Sequence, residues 1–230
     1  MDIQVRLGRW RVVVAASMAA VTALVACASE LRDPPKSASS ITIRTPDGAE
    51  LNGIELGTGP DVVVMSHGAT TTKEDFYDLA IAFAEDGWRV AAYDARDVAD
   101  RPVDLRAIVA YERADGLETL VLVGGSIGAS VSLSLAEELE ADAVVSLSAS
   151  GDTFDALDGA ASLRGTIPVL VLAARDDQPF TDDALRIAGA VGEQARILDG
   201  DAHGTGLLVD HPELVATIVR WVGNQVGRHE

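Results

Sequence analysis

Short apolar runs alternate with stretches of helical periodicity along most of this chain, and this alternation limits the folds open to it. The run Val62–Met65 is continuously apolar, as in a strand that is buried on both faces of a parallel sheet. Residues 72–85 then show the periodicity of an amphipathic helix. Repetition of such units predicts an α/β fold with a mostly parallel sheet of about eight strands and helices on both faces.

The same reading places the other elements along the chain. Further strands are predicted at residues 41–45, 51–56, 89–93, 120–123, 143–147, 168–173 and 195–198, and further helices at 102–114, 127–139, 181–191 and 212–226. The turn residues Pro46-Asp47-Gly48 separate the first two strands, and we expect that pair to be antiparallel.

One domain accounts for the folded part of the chain. The chain has 230 residues, 48% of them hydrophobic, which is enough for a single well-buried core. Residues 148–167, between two predicted strands, are too few to hold a lid domain. We therefore predict one α/β domain over residues 41–230, without a lid.

The N-terminus has the pattern of a targeting segment. Arg6, Arg9 and Arg11 precede the apolar run at residues 12–26, which is shorter than the roughly 20 residues of a membrane-spanning helix. Residues 1–26 are therefore predicted to be a signal peptide.

The run ends in Leu24-Val25-Ala26-Cys27, which resembles the lipobox of bacterial lipoproteins. That resemblance implies cleavage before Cys27, lipidation of its sulfur and an extracytoplasmic position on the bacterial membrane, with the membrane as partner through the lipid anchor. An uncleaved N-terminal anchor is the alternative. Residues 27–40, which include Pro34 and Pro35, are predicted to be the lipidated cysteine and a flexible tether.

Charge and cysteine content exclude several functions. The formal net charge is −18, which repels phosphate backbones, so nucleic acid is not an expected partner. Cys27 is the only cysteine, so neither an internal disulfide nor a cysteine-rich zinc site can form.

The strongest chemical signal is Gly124-Gly125-Ser126-Ile127-Gly128, a G-x-S-x-G pattern between a predicted strand and a predicted helix. A tight turn there would expose the Ser126 hydroxyl above the carboxyl edge of the sheet as a nucleophile. The N–H of Ile127, near the helix N-terminus, would face a developing oxyanion. The alternatives are a glycine-rich turn without chemistry and a phosphate-binding turn, although the chain lacks G-x-x-x-x-G-K-S/T.

A histidine and an acid follow the serine in chain order. His203 comes after the last predicted strand, where it can point into a crevice at the strand ends, although a surface-loop histidine is the alternative. Asp176 and Asp177 follow the strand before it, and either carboxylate could orient His203. The chain order is Ser126, then Asp, then His203, which differs from the chymotrypsin-like and subtilisin-like orders.

With these motifs, the chain from about residue 41 to residue 226 resembles an α/β-hydrolase, similar to small lidless dienelactone-hydrolase-like esterases. Ser66-His67-Gly68-Ala69 resembles the His-Gly signature of that family, which implies a second oxyanion donor in the N–H of Ala69 and a structural role for His67. The family often places its acid in a G-x-x-D pattern. Ala174 takes the glycine position here, which points to Asp177 as the acid.

Two further motifs carry the resemblance. Asp94-Ala95-Arg96 resembles the D-x-R after the fourth strand, without the glycines that often follow it, and His203-Gly204 resembles the histidine loop. Dienelactone hydrolases use a cysteine nucleophile, whereas this chain has Ser126, so their particular substrate is not implied.

The resemblance implies a serine hydrolase that cleaves a small-molecule carboxylic ester, or an amide, through an acyl-enzyme. Ser126, Asp177 and His203 would be catalytic, Ala69 and Ile127 would form the oxyanion hole, and no cofactor or metal is expected. Two alternatives remain. One is a non-catalytic surface lipoprotein with the hydrolase fold, and the other is an acyltransferase or haloperoxidase-like enzyme of the same fold.

Overall fold

The computed structural model describes residues 32–227. The predicted signal peptide at residues 1–26, the predicted lipidation site Cys27 and the tether as far as residue 31 lie outside the described residues. Within residues 32–227, no helix is long and apolar enough to cross a membrane.

In the described part of the chain, residues 32–227, eight strands form one sheet. They are β1 Ser39–Arg44, β2 Glu50–Leu56, β3 Asp61–Ser66, β4 Arg89–Tyr93, β5 Thr119–Gly125, β6 Ala143–Leu147, β7 Val169–Ala174 and β8 Arg196–Leu198. The strand order is β1-β2-β4-β3-β5-β6-β7-β8. β2 is antiparallel to both of its neighbours, and the pairs from β4 to β8 are parallel. The predicted mostly parallel sheet and its antiparallel first pair are confirmed.

Helices cover both faces of the sheet, as predicted. They are α1 Tyr77–Glu85, α2 Arg101–Ala114, α3 Ile127–Leu135, α4 Ala156–Ser162, α5 Phe180–Val191, α6 Gly206–Asp210 and α7 Glu213–Gln225. Short 3-10 turns lie at Lys73–Phe76, Val98–Asp100 and Thr153–Asp155. α2 to α5 pack on one face, and α1, α6 and α7 pack on the other.

The continuous apolar strands are explained by these two helical layers. Val62 and Val64 of β3 belong to the core under α2 to α5, whereas Val63 and Met65 belong to the core under α1, α6 and α7. All four are fully buried, because successive side chains of a strand point to opposite faces and both faces are covered.

The strand order places a crevice at the end of β3. β4 lies on one side of β3 and β5 on the other, so the loops that leave these strands diverge. Ser66, the last residue of β3, pairs in register with Gly124 of β5. The loop after β3 and the turn after β5 therefore start side by side, at the position where open α/β sheets bind ligands.

The structure corrects three helix predictions. The predicted helix at residues 72–85 begins as the 3-10 turn Lys73–Phe76, and α3 ends at Leu135 rather than at residue 139. Beyond α3 the chain tightens into turns, and Glu140 adopts a positive φ of 49°. α6 was not predicted, because five residues are too few to display helical periodicity.

Between β6 and β7 the chain forms only a 3-10 turn and α4, so this segment holds no lid domain. At the start of the domain, β1 begins at Ser39, two residues earlier than predicted. Before it, Arg32 makes a bidentate ion pair with Asp78 of α1, with N–O distances of 2.7 and 3.0 Å.

Candidate active site

Ser126 lies on a sharp turn between β5 and α3. Its backbone angles are φ 54° and ψ −119°, an uncommon conformation for a residue with a side chain. A Cβ at Gly124 would overlap the backbone of Ala129, and a Cβ at Gly128 would overlap the carbonyl of Ser66. The two glycines are therefore required for the turn to close, and the N–H of Ser126 donates to the carbonyl of Leu147 at 2.7 Å.

The structure brings the predicted serine, acid and histidine into one chain of hydrogen bonds. The Nε2 of His203 lies 2.7 Å from the Oγ of Ser126, and its Nδ1 lies 2.8 Å from the Oδ2 of Asp177. These residues are 77 and 26 positions apart from His203 in the sequence, and they follow β5, β7 and β8 at the same edge of the sheet. This geometry suits a nucleophile, a base and an orienting acid, although their catalytic roles remain predictions.

The two neighbouring aspartates have different surroundings. The side chain of Asp177 is 9% exposed and that of His203 is 37% exposed, so the acid is shielded while the imidazole is open to a substrate. Asp176 is exposed, and its N–H donates to the carbonyl of Gly200 at 2.9 Å. The structure therefore places Asp177, and not Asp176, on His203.

Phe180 is a site residue that the sequence analysis missed. It is the first residue of α5, and its half-buried ring lies 4.1 Å from the imidazole of His203 between centroids, with an interplanar angle of 48°. This ring contact restricts rotation of the His203 imidazole, which is also held by its hydrogen bond to the carboxylate of Asp177. The only feature of the sequence that could have indicated this contact is an aromatic residue three positions after the acid, and that feature is weak.

The two predicted oxyanion donors flank Ser126. Ile127 is the first residue of α3, so its N–H is one of the unpaired donors at a helix N-terminus. Gly68 lies against the serine, since a Cβ built on it would be 3.3 Å from the Cβ of Ser126, and Ala69 follows it. Within residues 32–227, neither the N–H of Ile127 nor that of Ala69 donates to a protein acceptor. Their role as oxyanion donors stays a prediction.

His67 is buried and engaged on both ring nitrogens. Its Nε2 accepts a hydrogen bond from the N–H of Ala95 at 2.9 Å, so the proton is assigned to Nδ1, which donates to the carbonyl of Gly68 at 2.6 Å. Burial and the nearby guanidinium of Arg101 lower the pKa of His67, which favours the neutral ring. This imidazole holds backbone in place and has no nitrogen left to act as a base.

A cleft of about 620 Å³ opens beside Ala69. Its lining includes Asp94, Asp97 and Asp100, and the carboxylate of Asp94 pairs with the Nζ of Lys73 at 2.6 Å. Arg96 also lines it, but its guanidinium already pairs with the buried Asp104 at 2.6 Å. A second cleft, between α1 and α7, contains none of the predicted site residues.

Solved structures share this architecture. An esterase from Pyrococcus furiosus superposes with a TM-score of 0.68 and 17% identity, over 84% of this chain and 99% of that protein. An esterase domain of a Rhodothermus marinus protein gives a TM-score of 0.67 and 17% identity, covering 83% and 98%. A serine hydrolase without a lid from Xanthomonas campestris gives 0.61 and 20%, covering 86% and 97%. The chain has the α/β-hydrolase fold.

In contrast, no protein-family model and no curated protein matches the chain. At such low identity the structural neighbours show the fold, and one fold hosts many reactions. The activity of this chain therefore depends on the chemistry of its own site. Among the described residues, no cluster of three or more histidine, cysteine, aspartate or glutamate side chains is arranged to hold a metal ion.

Proposed function

We propose that this protein is a serine hydrolase that cleaves carboxylic esters through an acyl-enzyme. The observation that carries the proposal is the continuous hydrogen-bond path from Asp177 through His203 to Ser126, with steps of 2.8 and 2.7 Å. Nucleophile and base within this distance, with the base oriented by a third group, are the signature of an activated serine.

The reaction follows from the positions of these atoms. The Oγ of Ser126 attacks the ester carbonyl carbon while the Nε2 of His203 takes the hydroxyl proton. The N–H groups of Ala69 and Ile127 stabilise the oxyanion of the tetrahedral intermediate. When the intermediate collapses, the imidazolium gives its proton to the departing alcohol oxygen and the acyl-enzyme remains. Water, activated by the same imidazole, attacks the acyl group and releases the acid and free Ser126.

The structural neighbours support the same class of reaction. Two of them are named esterases and a third is named a serine hydrolase without a lid. A small-molecule ester is therefore the proposed substrate, with an amide as the alternative.

The surroundings of the site suggest which esters are favoured. Within residues 32–227 no lid domain lies over the site, so little apolar surface is available to enclose a long acyl chain. The neighbouring cleft is lined by Asp97 and Asp100 and by Asp94, which pairs with Lys73, and the net charge of the chain is −18. An anionic ester should therefore meet the enzyme more slowly than a neutral or cationic ester.

We expect kcat/KM for p-nitrophenyl esters to be highest for acetyl or butyryl and to fall for octanoyl and palmitoyl. A matched anionic ester should react more slowly at low salt, and the difference should shrink at high salt, because salt screens exposed charges. A maximum at octanoyl or longer would refute the open-site argument, and equal rates at low salt would refute the electrostatic one. Transfer to added alcohols in excess of hydrolysis would favour the acyltransferase alternative.

We also propose that the domain is held at the outer face of a bacterial membrane by lipid on Cys27. The support is the basic and apolar pattern of residues 6–26 and the sequence Leu24-Val25-Ala26-Cys27. Cleavage before Cys27 would leave the lipidated residue five positions before Arg32 in the sequence, and Arg32 forms an exposed ion pair with Asp78 of α1. Two or more acyl chains are needed for stable anchoring, since a single chain binds only marginally.

Changing Cys27 to serine should move the protein from the membrane fraction to the soluble fraction, or leave an uncleaved precursor. Mass spectrometry of the wild-type N-terminus should find acyl chains on Cys27. Esterase activity per folded molecule should be the same in both proteins, because Cys27 precedes the folded domain. A mature protein that starts elsewhere and carries no lipid would contradict the proposal.

A further inference from the structure

The backbone after β3 is held by a buried arginine from a different element. Arg101, the first residue of α2, is 3% exposed. Its Nη1 donates to the carbonyl of His67 at 2.8 Å, and its Nη2 donates to the carbonyl of Gly68 at 3.1 Å. The nearby buried carboxylate of Asp104 is engaged instead by Arg96, at 2.6 Å.

Burial of the Arg101 guanidinium costs free energy. Within residues 32–227, the guanidinium of Arg101 forms no ion pair with a carboxylate, and burial lowers its pKa. Asp97 and Asp104 attract this guanidinium without a direct ion pair, and burying a cation in this way is unfavourable. The two carbonyl contacts offset part of that cost, and they fix the backbone that they reach. The two carbonyls belong to the loop that leads to the predicted oxyanion donor Ala69.

The carbonyl of Gly68 is tied from two sides. It accepts the Nδ1–H of His67 at 2.6 Å in addition to Arg101, while the N–H of Gly68 donates to the Oγ1 of Thr71 at 2.8 Å. In a trans peptide the C=O and the following N–H point in opposite directions. A fixed Gly68 carbonyl therefore fixes the direction of the Ala69 N–H. Without these ties, the conformational freedom of glycine would let this peptide rotate.

We propose that Arg101 is a positioning residue of the oxyanion hole, an inference that rests on the proposed function. It holds the Gly68–Ala69 peptide so that the Ala69 N–H points at the site. Donation from a charged group to the Gly68 carbonyl also polarises that amide and strengthens its N–H as a donor. Arg101 acts through the backbone and takes no part in bond formation.

The test separates transition-state stabilisation from stability and from substrate binding. Arg101→Met removes both donors, and Arg101→Lys keeps the charge without the two-pronged geometry. Arg89→Met is the matched control, since Arg89 is 4% exposed, pairs with Glu112 at 3.0 Å and does not belong to the site. For each protein we would measure kcat and KM for p-nitrophenyl acetate, the inhibition constant of phenylboronic acid, which forms a tetrahedral adduct with serine, and Tm.

Arg101→Met should lower kcat about ten- to a hundredfold, up to the loss expected for a missing oxyanion donor, with KM little changed. The affinity for the boronic acid should fall with kcat, and Arg101→Lys should lie in between. Arg89→Met should lower Tm but leave kcat unchanged. The concentration of active sites, by which kcat is calculated, is determined by labelling to completion with a fluorophosphonate. If Arg101→Met does not fold, Arg101→Lys decides by the same measurements.

Wild-type kcat and boronic acid affinity in a folded Arg101 variant would overturn the inference. So would a raised KM with unchanged kcat, which would make Arg101 a substrate-binding residue of the adjoining cleft. Absence of ester hydrolysis in the wild-type protein is a different outcome, and it would remove the proposed function itself.

Discussion

Replacing Ser126 by alanine should reduce ester hydrolysis by roughly 10⁴- to 10⁶-fold, the range seen when one member of a cooperating serine, histidine and acid set is removed. The Oγ of Ser126 is the atom that would form the acyl-enzyme, and no water placed there could reproduce the covalent step. Folding should persist, because Ser126 is half-buried at the edge of the sheet and alanine can adopt the same backbone.

The measurement is kcat/KM for a p-nitrophenyl ester together with labelling by a fluorophosphonate, which reacts only with an activated serine. Wild-type protein should label once and Ser126→Ala should not label. Ser132→Ala is the matched control, because that hydroxyl lies on the same helix and donates to the carbonyl of Gly128 at 2.8 Å, away from His203. It should retain activity and labelling. Near-wild-type turnover in Ser126→Ala would remove the proposed mechanism.

His203→Ala should cost nearly as much, because Ser126 would lose the acceptor for its proton. His211→Ala is the matched histidine control. The Nε2 of His211 contacts the carbonyl of Asp199 at 2.8 Å, so the ring supports a loop rather than the nucleophile. An equal loss in both variants would show that loop packing, and not proton transfer, explains the effect.

Changing Asp177 to asparagine should lower kcat by up to about 10⁴-fold, whereas Asp176→Asn should change it less than about twofold. The carboxylate of Asp177 accepts a hydrogen bond from the Nδ1 of His203, which leaves Nε2 free to take the proton of Ser126. An amide at position 177 can donate to Nδ1 and favour the tautomer that carries its proton on Nε2. That tautomer cannot accept the serine proton.

The two variants form a closely matched pair, since they remove the same charge from neighbouring positions. Asp176 is exposed and its side chain forms no hydrogen bond or ion pair with His203, so its removal tests the effect of charge. Circular dichroism and Tm should show that both variants are folded. The reverse ranking would assign the orienting role to Asp176, and equal small losses would show that His203 needs no carboxylate.

Much of the fold could be predicted because its determinants are local. The fully buried strands β3 and β5 appear in the sequence as continuous apolar runs, since helices cover both faces of the sheet. The turn at Ser126 could also be predicted from the sequence, because only glycine fits at positions 124 and 128, where other backbone atoms lie too close for a Cβ. The order of serine, acid and histidine along the chain follows from the order in which the strands end at one edge of the sheet.

The sequence by itself thus determined the α/β class, the strand positions, the turn at Ser126 and the chain order of the site. The resemblance to a G-x-x-D pattern pointed to Asp177, and the tertiary structure showed why it differs from Asp176, since the backbone turns one carboxylate inward and leaves the other in water. The tertiary structure alone also revealed the contact of Phe180 with His203 and the hydrogen bonds from Arg101 to the loop after β3. Each joins residues from different elements, and no local pattern encodes a distance that depends on how the whole sheet is assembled.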